Sequence, residues 1–472
     1  MTVRPMTSQA PESIVPTHWY NVLSDLTDVE DAARLRRARP QDQGTSQPAN
    51  SRITPQIPLT MYRQSLSREP FIEIPEEVRR QYLRWRPTPL RRARNLELLL
   101  DTPARIYFKY EGTSPTGSHK LNTALAQAYY YKQAGVKELT TGTGAGQWGS
   151  ALSLAARIHG LRCTVYMVRV SHEQKPYRRV MMEMNGARVV PSPSTGTSAG
   201  RTALERDPET GGSLSIANAE AFEHAAALEH CNLSVGSGEN HVLLHQTVIG
   251  QEALRQLEAI DEFPDVVIGA VGAGSNFSGL AFPFFHEKIR TGRATRFVAV
   301  EPEACPKLTK GTYAWDYNDF TGVTPMTKMY TLGHTFVSPG IHAGGLRYHG
   351  AAPLLSAMYE QKLIEAVAHP QQAVFEAGLT FAEQEWITPA PESAHAIRAA
   401  IDEAVRAREE GRAKVILFNL SGHGLLDLSA YDHYLSGRMT DMAATDEQIR
   451  TSLDRLPPQD DGQPSGAAAR SR

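Results

Sequence analysis

The sequence predicts an α/β protein: two doubly wound, mostly parallel sheets with a cleft between them. Three observations point there. Short apolar or β-branched runs alternate with amphipathic stretches between Arg105 and Leu420. Three of those runs end in glycine-rich loops that open the next helix. The 472 residues suffice for two or three domains at roughly 100–200 residues each.

Taken in order, residues 1–12 are polar, with Pro5 and Pro11, and read as a flexible terminus. Residues 13–104 are a leader and the start of the core, with a short helix around Pro75–Arg84. The leader's basic clusters Arg36–Arg39 and Arg91–Arg94 have acidic residues close by, which dilutes their field. Residues 105–240 are expected to form the smaller α/β domain with the carboxylate loop, or its early segments, including the Lys120 helix, to pack across both domains. Arg105–Tyr110 reads as a strand, Lys120–Ala134 as a helix, Glu138–Thr141 as a strand and Gln147–His159 as a helix. The strand Arg162–Val168, the helix Lys175–Asn185 and the strand Arg188–Pro191 follow. Residues 241–455 are expected to form the larger domain, opening on a helical region near His241–Glu262. Asp265–Gly272 is a buried-type strand, followed by a helix and the strand Arg296–Glu301. Ser393–Glu410 is an amphipathic helix, Lys414–Leu420 a final strand, and residues 456–472 a disordered tail.

Composition narrows the function. Lys and Arg (49) nearly balance Asp and Glu (51), so a general electrostatic grip on nucleic acid or an anionic membrane is disfavoured. Cys163, Cys231 and Cys305 share no ligand-like spacing and leave an odd number. That excludes a disulfide scaffold or a cysteine zinc site and fits a reducing, cytoplasmic setting. No apolar run is long enough to span a bilayer, and no secretion leader is visible at Met1.

The three loops are Gly142-Thr143-Gly144-Ala145-Gly146-Gln147, Gly272-Ala273-Gly274-Ser275-Asn276 and Ser421-Gly422-His423-Gly424. A strand, a glycine turn and a helix start together present free backbone N–H groups and a positive dipole end, which suits phosphate or carboxylate. One such loop can be an ordinary tight turn; three point to an anion-bearing small molecule. None carries the lysine-serine ending of an ATP loop. A fourth segment, Glu111–Asn122, leaves the Arg105–Tyr110 strand and sets Lys120 at a helix start. The dipole there disfavours an ammonium ion, so the amine becomes more nucleophilic, as imine formation with an aldehyde cofactor requires.

These segments resemble the β chain of tryptophan synthase, in its longer second branch that works without the usual α partner. The likeness runs from Pro16–Asn21 and Arg86–Leu90 to the Ser421 loop. Its longest stretches are Glu111–Asn122, Thr143–Ala151, Gln174–Met182, His241–Gly250, Ile341–Gly350 and Pro389–Ile397. The resemblance implies a fold-type II enzyme with pyridoxal phosphate bound to Lys120, which also moves the substrate's Cα proton. It implies that His119 and Asn122 help seat the cofactor and that Gly272, Ala273, Gly274, Ser275 and Asn276 form its phosphate cup. Ser421 would hydrogen-bond the pyridine nitrogen, and Glu385 would lie near the ring. Thr143, Gly144, Ala145, Gly146 and Gln147 would grip the substrate carboxylate. A homodimer without an obligatory α subunit, and a monovalent cation, are further implications.

Departures from the family are equally pointed. Gly142 stands where the family has a glutamate that assists leaving-group loss and acceptor activation. Such a group contributes about 10²–10⁴-fold. Glu239 and its neighbour Gly238 replace two apolar residues, so Glu239 either supplies the lost acid from another wall or is a solvated loop residue. Trp386 replaces a glycine after Glu385 and would fill space or displace it. His241 and His245 are four apart, but the helix is one the family uses for packing, so no metal site is assigned.

The expected reaction is β-replacement on serine or an activated serine derivative through an aminoacrylate. An indole-type nucleophile would give tryptophan or a similar amino acid, with Lys120 and Glu239 as catalytic residues. The alternatives are β-elimination, as in a serine or threonine deaminase, and a cofactor-binding protein without turnover. Restoring Gly142→Glu is expected to renew indole coupling if the rest of the pocket is intact.

Overall fold

The computed structural model describes residues 14–26, the backbone of Arg36 and Arg37, and residues 57–459. The expected flexible terminus, most of the first basic cluster and the tail beyond residue 459 lie outside the described residues.

Two sheets carry the molecule. The larger runs in the order Glu365–His369, Arg296–Pro302, Val266–Ala270, Val415–Leu420, Arg105–Tyr110, Leu90–Arg92. All its neighbours are parallel except the edge strand Leu90–Arg92, which is antiparallel to Arg105–Tyr110. Val266–Ala270 and Val415–Leu420 are buried throughout, as strands covered on both faces must be. The smaller sheet, Arg188–Ser192, Arg162–Val168, Glu138–Thr143, Cys231–Leu233, is wholly parallel.

One expected boundary needs correction. Arg105–Tyr110 belongs to the larger sheet, paired with Val415–Leu420, and not to the smaller domain. The smaller sheet is built between residues 138 and 233, so the chain leaves the larger sheet and returns to it. Element limits otherwise follow the residues. The helix Gln147–His159 is bracketed by Gly146 and Gly160, both left-handed (φ 97° and 69°), a conformation that glycine adopts without strain. The region near His241–Glu262 resolves into two helices, Asn240–Gln246 and Val248–Glu258.

Under the leader lies a buried ion cluster. Arg86 contacts Glu252 at 2.7 Å and Glu111 at 2.9 Å, and Lys109 contacts Glu252 at 2.8 Å, all fully buried. Thr88 and Asn122 donate to Glu111 at 2.6 and 3.0 Å. Burial alone would raise the Glu111 carboxyl, but the Arg86 guanidinium outweighs it and holds the group at about 2. The cluster ties the leader, a central strand and two helices to one another, and sets the entry to the Lys120 helix.

Candidate active site

Lys120 begins the helix Lys120–Gln133 at the bottom of the cleft between the two sheets. Its Nζ donates to the Gly236 carbonyl and to Ser275 Oγ, each at 2.8 Å. Burial lowers the amine to about 7, against a smaller opposing pull from Glu392. At neutral pH a large share of the amine is therefore uncharged and nucleophilic.

Around it the loops converge. Gly272 to Asn276 line the cleft at the start of the helix Ser275–Thr291, whose first N–H groups are unpaired within the helix. Gly274 has φ 123°, and a Cβ there would lie 2.7 Å from Leu355, so only glycine makes this turn. A Cβ on Gly272 would meet the Gly345 carbonyl oxygen at 2.4 Å, so that wall is equally close. Asn276 is locked by the Ala270 carbonyl at 3.0 Å and the Asn419 amide at 2.6 Å. His119 bridges the loops: its backbone N–H donates to the Ser421 carbonyl at 2.9 Å, and its Nε2 lies 3.4 Å from Ser275 Oγ. Burial and the neighbouring Lys120 push its imidazole down to about 3, so it is neutral. Ser421, which also lines the cleft, has its Oγ 2.8 Å from Ser393 Oγ.

Thr143, Gly144, Ala145 and Gln147 line a chamber on the other side of Lys120. Gly146 turns left-handed into the Gln147–His159 helix, and Thr143 Oγ1 accepts from the Gly149 N–H at 3.2 Å. The loop thus presents N–H groups at a helix start beside the reactive amine, as a carboxylate site requires.

Two expected cofactor residues stand elsewhere. Asn122 is spent on the buried ion cluster, bonded to Glu111 and Gln246 at 3.0 Å and to Arg86 at 2.8 Å, and does not line the cleft. Glu385 ends the helix Gln371–Glu385 and accepts from the Leu96 N–H at 3.0 Å, capping another helix outside the cleft. The glutamate in the cleft is Glu392. It sits in the first turn of Pro391–Glu409, where the dipole favours a carboxylate, and accepts from the Gly345 N–H at 2.8 Å. Its Oε2 is buried in the cleft without a hydrogen-bond partner among the described residues. The stretch Pro389–Ile397 that contains it was legible as a family match. Trp386 does not fill the pocket either: it is 83% exposed and caps its helix in the left-handed conformation, φ 58°.

Gly142 is closed off from behind. A Cβ there would lie 2.5 Å from Asn218 Oδ1, 2.8 Å from the Asn218 backbone N and 2.9 Å from the Ala217 carbonyl carbon. The helix Leu214–Ala227 fills the place a longer residue would need, so a glutamate cannot simply be restored. Glu239 lines the chamber with Lys120, Thr143 and Gln147. His241 and His245 pack as buried partners of Ser65, Thr123 and Gln64. Among the described residues Glu138, His224 and Cys231 bring ligand-type atoms within 4.8 Å of one another. There, however, Glu138 already receives Arg162 at 2.9 Å.

The cleft fits pyridoxal phosphate on its own geometry. A glycine cup at a helix start meets a phosphate, an uncharged lysine amine meets an aldehyde, and the Ser421 hydroxyl in the same lining suits a ring nitrogen. Lys120, His119, residues 272–276 and Ser421 would hold the group. The comparisons with known proteins agree. Residues 82–422 match the family model described as pyridoxal-phosphate dependent enzyme. The tryptophan synthase beta chain 2 of Aquifex aeolicus is 56% identical over 91% of this chain and 98% of that protein. The protein of the same name from Thermotoga maritima is 55% identical over 89% and 98%. Among solved structures, a fungal L-serine ammonia-lyase from Rhizomucor miehei superposes with TM-score 0.54 at 16% identity, covering 75% of this chain and 98% of that one. The processed threonine deaminase isoform 2 of Solanum lycopersicum does so with TM-score 0.54 at 18% identity, covering 74% and 87%. These two show the shared fold. The chain belongs to the pyridoxal-phosphate dependent enzymes and, within them, to the branch of the second tryptophan synthase β chains.

Proposed function

We propose that the chain catalyses β-replacement of the tryptophan synthase type, joining a nucleophile to Cβ of serine or an activated serine derivative. One observation carries the reading: a lysine amine lowered to about 7 stands between a phosphate cup and a carboxylate loop. Pyridoxal phosphate, when bound, supplies the electron sink for the pair left at Cα. The backbone N–H groups of Thr143 to Gln147 orient the donor by its carboxylate. Lys120 Nζ, placed by the Gly236 carbonyl and Ser275 Oγ, takes the Cα proton and later returns it. Ser421 offers a neutral hydroxyl to the ring nitrogen, which limits the sink and favours chemistry at Cβ. With glycine at 142, that position offers no carboxylic acid to protonate a departing hydroxyl. An O-acyl or O-phospho donor therefore suits this site better than serine.

The same reading includes a homodimer that acts in the cytoplasm without a separate α partner, and a monovalent cation. No helix among the described residues is long and apolar enough to cross a membrane. The test is to give the cofactor-loaded enzyme indole with serine, O-acetylserine or O-phosphoserine, and to measure products by mass spectrometry. Indole-coupled amino acid forming at least tenfold faster from the activated donors is expected. Pyruvate as the only product from every donor would replace β-replacement with β-elimination.

A further inference from the structure

Beyond the amino-acid chamber lies a second, larger space. A cavity of about 430 Å³ is walled by Leu59, Tyr62, Tyr131, Phe222 and Leu233, with Pro325 at one side. Its volume falls within the roughly 300–1,000 Å³ of pockets that hold compact organic ligands. Four residues line both spaces: Asn218, Val235, Glu239 and Asn318. Among the described residues, Glu239 is the only acidic one lining either space.

Its position is built. Gly236 packs so closely on the Trp148 ring that a Cβ would lie 2.3 Å from it, and the Gly236 carbonyl receives Lys120 Nζ at 2.8 Å. Gly238 then turns left-handed, φ 87°, and delivers Glu239 to the start of the helix Asn240–Gln246. A glutamate three residues beyond the lysine's own anchor is thereby set at the doorway, half-buried, facing both spaces. On the opposite wall, the strand position at 142 is sealed by Ala217 and Asn218. The carboxylate absent from one wall of the chamber is thus present on another.

We propose that Glu239, which lines both spaces, is the acid–base group for the incoming nucleophile and takes the role that glycine at 142 cannot fill. This rests on the β-replacement reading above. The acceptor's N–H proton passes to the Glu239 carboxylate as the ring's electron pair forms a bond from its nucleophilic carbon to the donor's Cβ. The π pair left between Cα and Cβ by departure of the β-substituent moves to Cα, which receives its proton from Lys120. Glu239 returns its proton to the ring nitrogen, and the regenerated carboxylate takes the proton from the ring carbon and passes it to solvent, which restores the aromatic ring. Aromatic walls with one carboxylate at the mouth are what such a molecule needs, because the carboxylate is a strong acceptor where water is scarce.

The experiment compares the parent enzyme with Glu239→Gln, both loaded with cofactor, using O-acetylserine as donor. Indole and N-methylindole, which lacks the N–H, serve as acceptors. Glu239→Gln is expected to lower kcat/KM for indole by about 100-fold, the lower end for loss of a general acid–base group. The loss should be at least tenfold larger for indole than for N-methylindole, and acetate release without an acceptor reads the donor half separately. Calorimetric binding of indole to the loaded enzyme should weaken about tenfold in the variant while that of N-methylindole does not. Equal losses for both acceptors, or none for either, overturn the assignment. If the parent releases acetate but couples neither acceptor, the Glu239 assignment falls and the donor half of the reaction stands. If it releases no acetate, the β-replacement reading falls with it.

Discussion

Lys120 is poorly placed to carry a charge, and that is measurable without any turnover. Its amine is lowered to about 7 by burial, so in the cofactor-free protein it is protonated below that pH and free above it. Labelling by an amine-reactive reagent, followed by peptide mass spectrometry, should rise at Lys120 through about pH 7. A second residue shows what a local motif conceals. Trp386 holds φ 58° at the end of its helix with its ring in solvent. A glycine there serves the backbone turn and has no bearing on pocket space. Trp386→Gly should relieve the left-handed strain, raise stability by about 1 kcal/mol and leave activity unchanged, as thermal melting and a donor assay will show. The same stretch explains why Glu385 read as the cleft glutamate. Residues 385 and 392 flank one turn and look alike in sequence. Only the reversal of direction at Pro389–Pro391 puts the first on a neighbouring helix start and the second over Gly345.

Elements with strong local signals were legible almost to the residue. Arg162–Val168 is a β-branched run between a glycine-capped helix and a charged start, and Gln147–His159 lies between two left-handed glycines. The antiparallel pair Thr312–Tyr317 and Met326–Thr331 was not read. Its connection is organised by Asp319, which accepts from the backbone N–H groups and hydroxyls of Thr321 and Thr324, a turn that composition does not announce. Nor could sequence show how near the Leu214–Ala227 helix comes to the Glu138–Thr143 strand. That approach reverses the expected effect of Gly142→Glu. The new side chain meets helix backbone at 2.8 Å, so the variant should lose about 1–3 kcal/mol, as other overpacked sites do. It should melt lower and gain no indole coupling.

At the scale of the whole molecule, the buried cluster of Arg86, Lys109, Glu111 and Glu252 makes the leader part of the fold. Removing Arg86 leaves the buried Glu111 carboxylate without its guanidinium partner, while Glu252 keeps Lys109. Arg86→Met should therefore cost about 3–5 kcal/mol in denaturant unfolding. The pH dependence has a definite sign. Glu111 is held at about 2 from an ordinary 4.5, so its contribution is fully present above pH 4.5 and is lost as pH falls towards 2. Without Arg86 the burial effect prevails, and acid unfolding should begin at a higher pH than in the parent. The two-sheet plan and the convergence of three glycine loops could be inferred from alternation alone. The membership of each strand could not, because Arg105–Tyr110 and Leu90–Arg92 find their partners more than 300 residues and fewer than 20 residues away respectively. That last pairing has a consequence for how the protein stays in solution. Leu90–Arg92 lies antiparallel along an otherwise open margin of the larger sheet and places Arg91 outward. A shortened chain lacking it would bare the hydrogen-bonding groups of Arg105–Tyr110, a template on which copies of the chain can stack. The leader thus guards against self-association as well as contributing to stability.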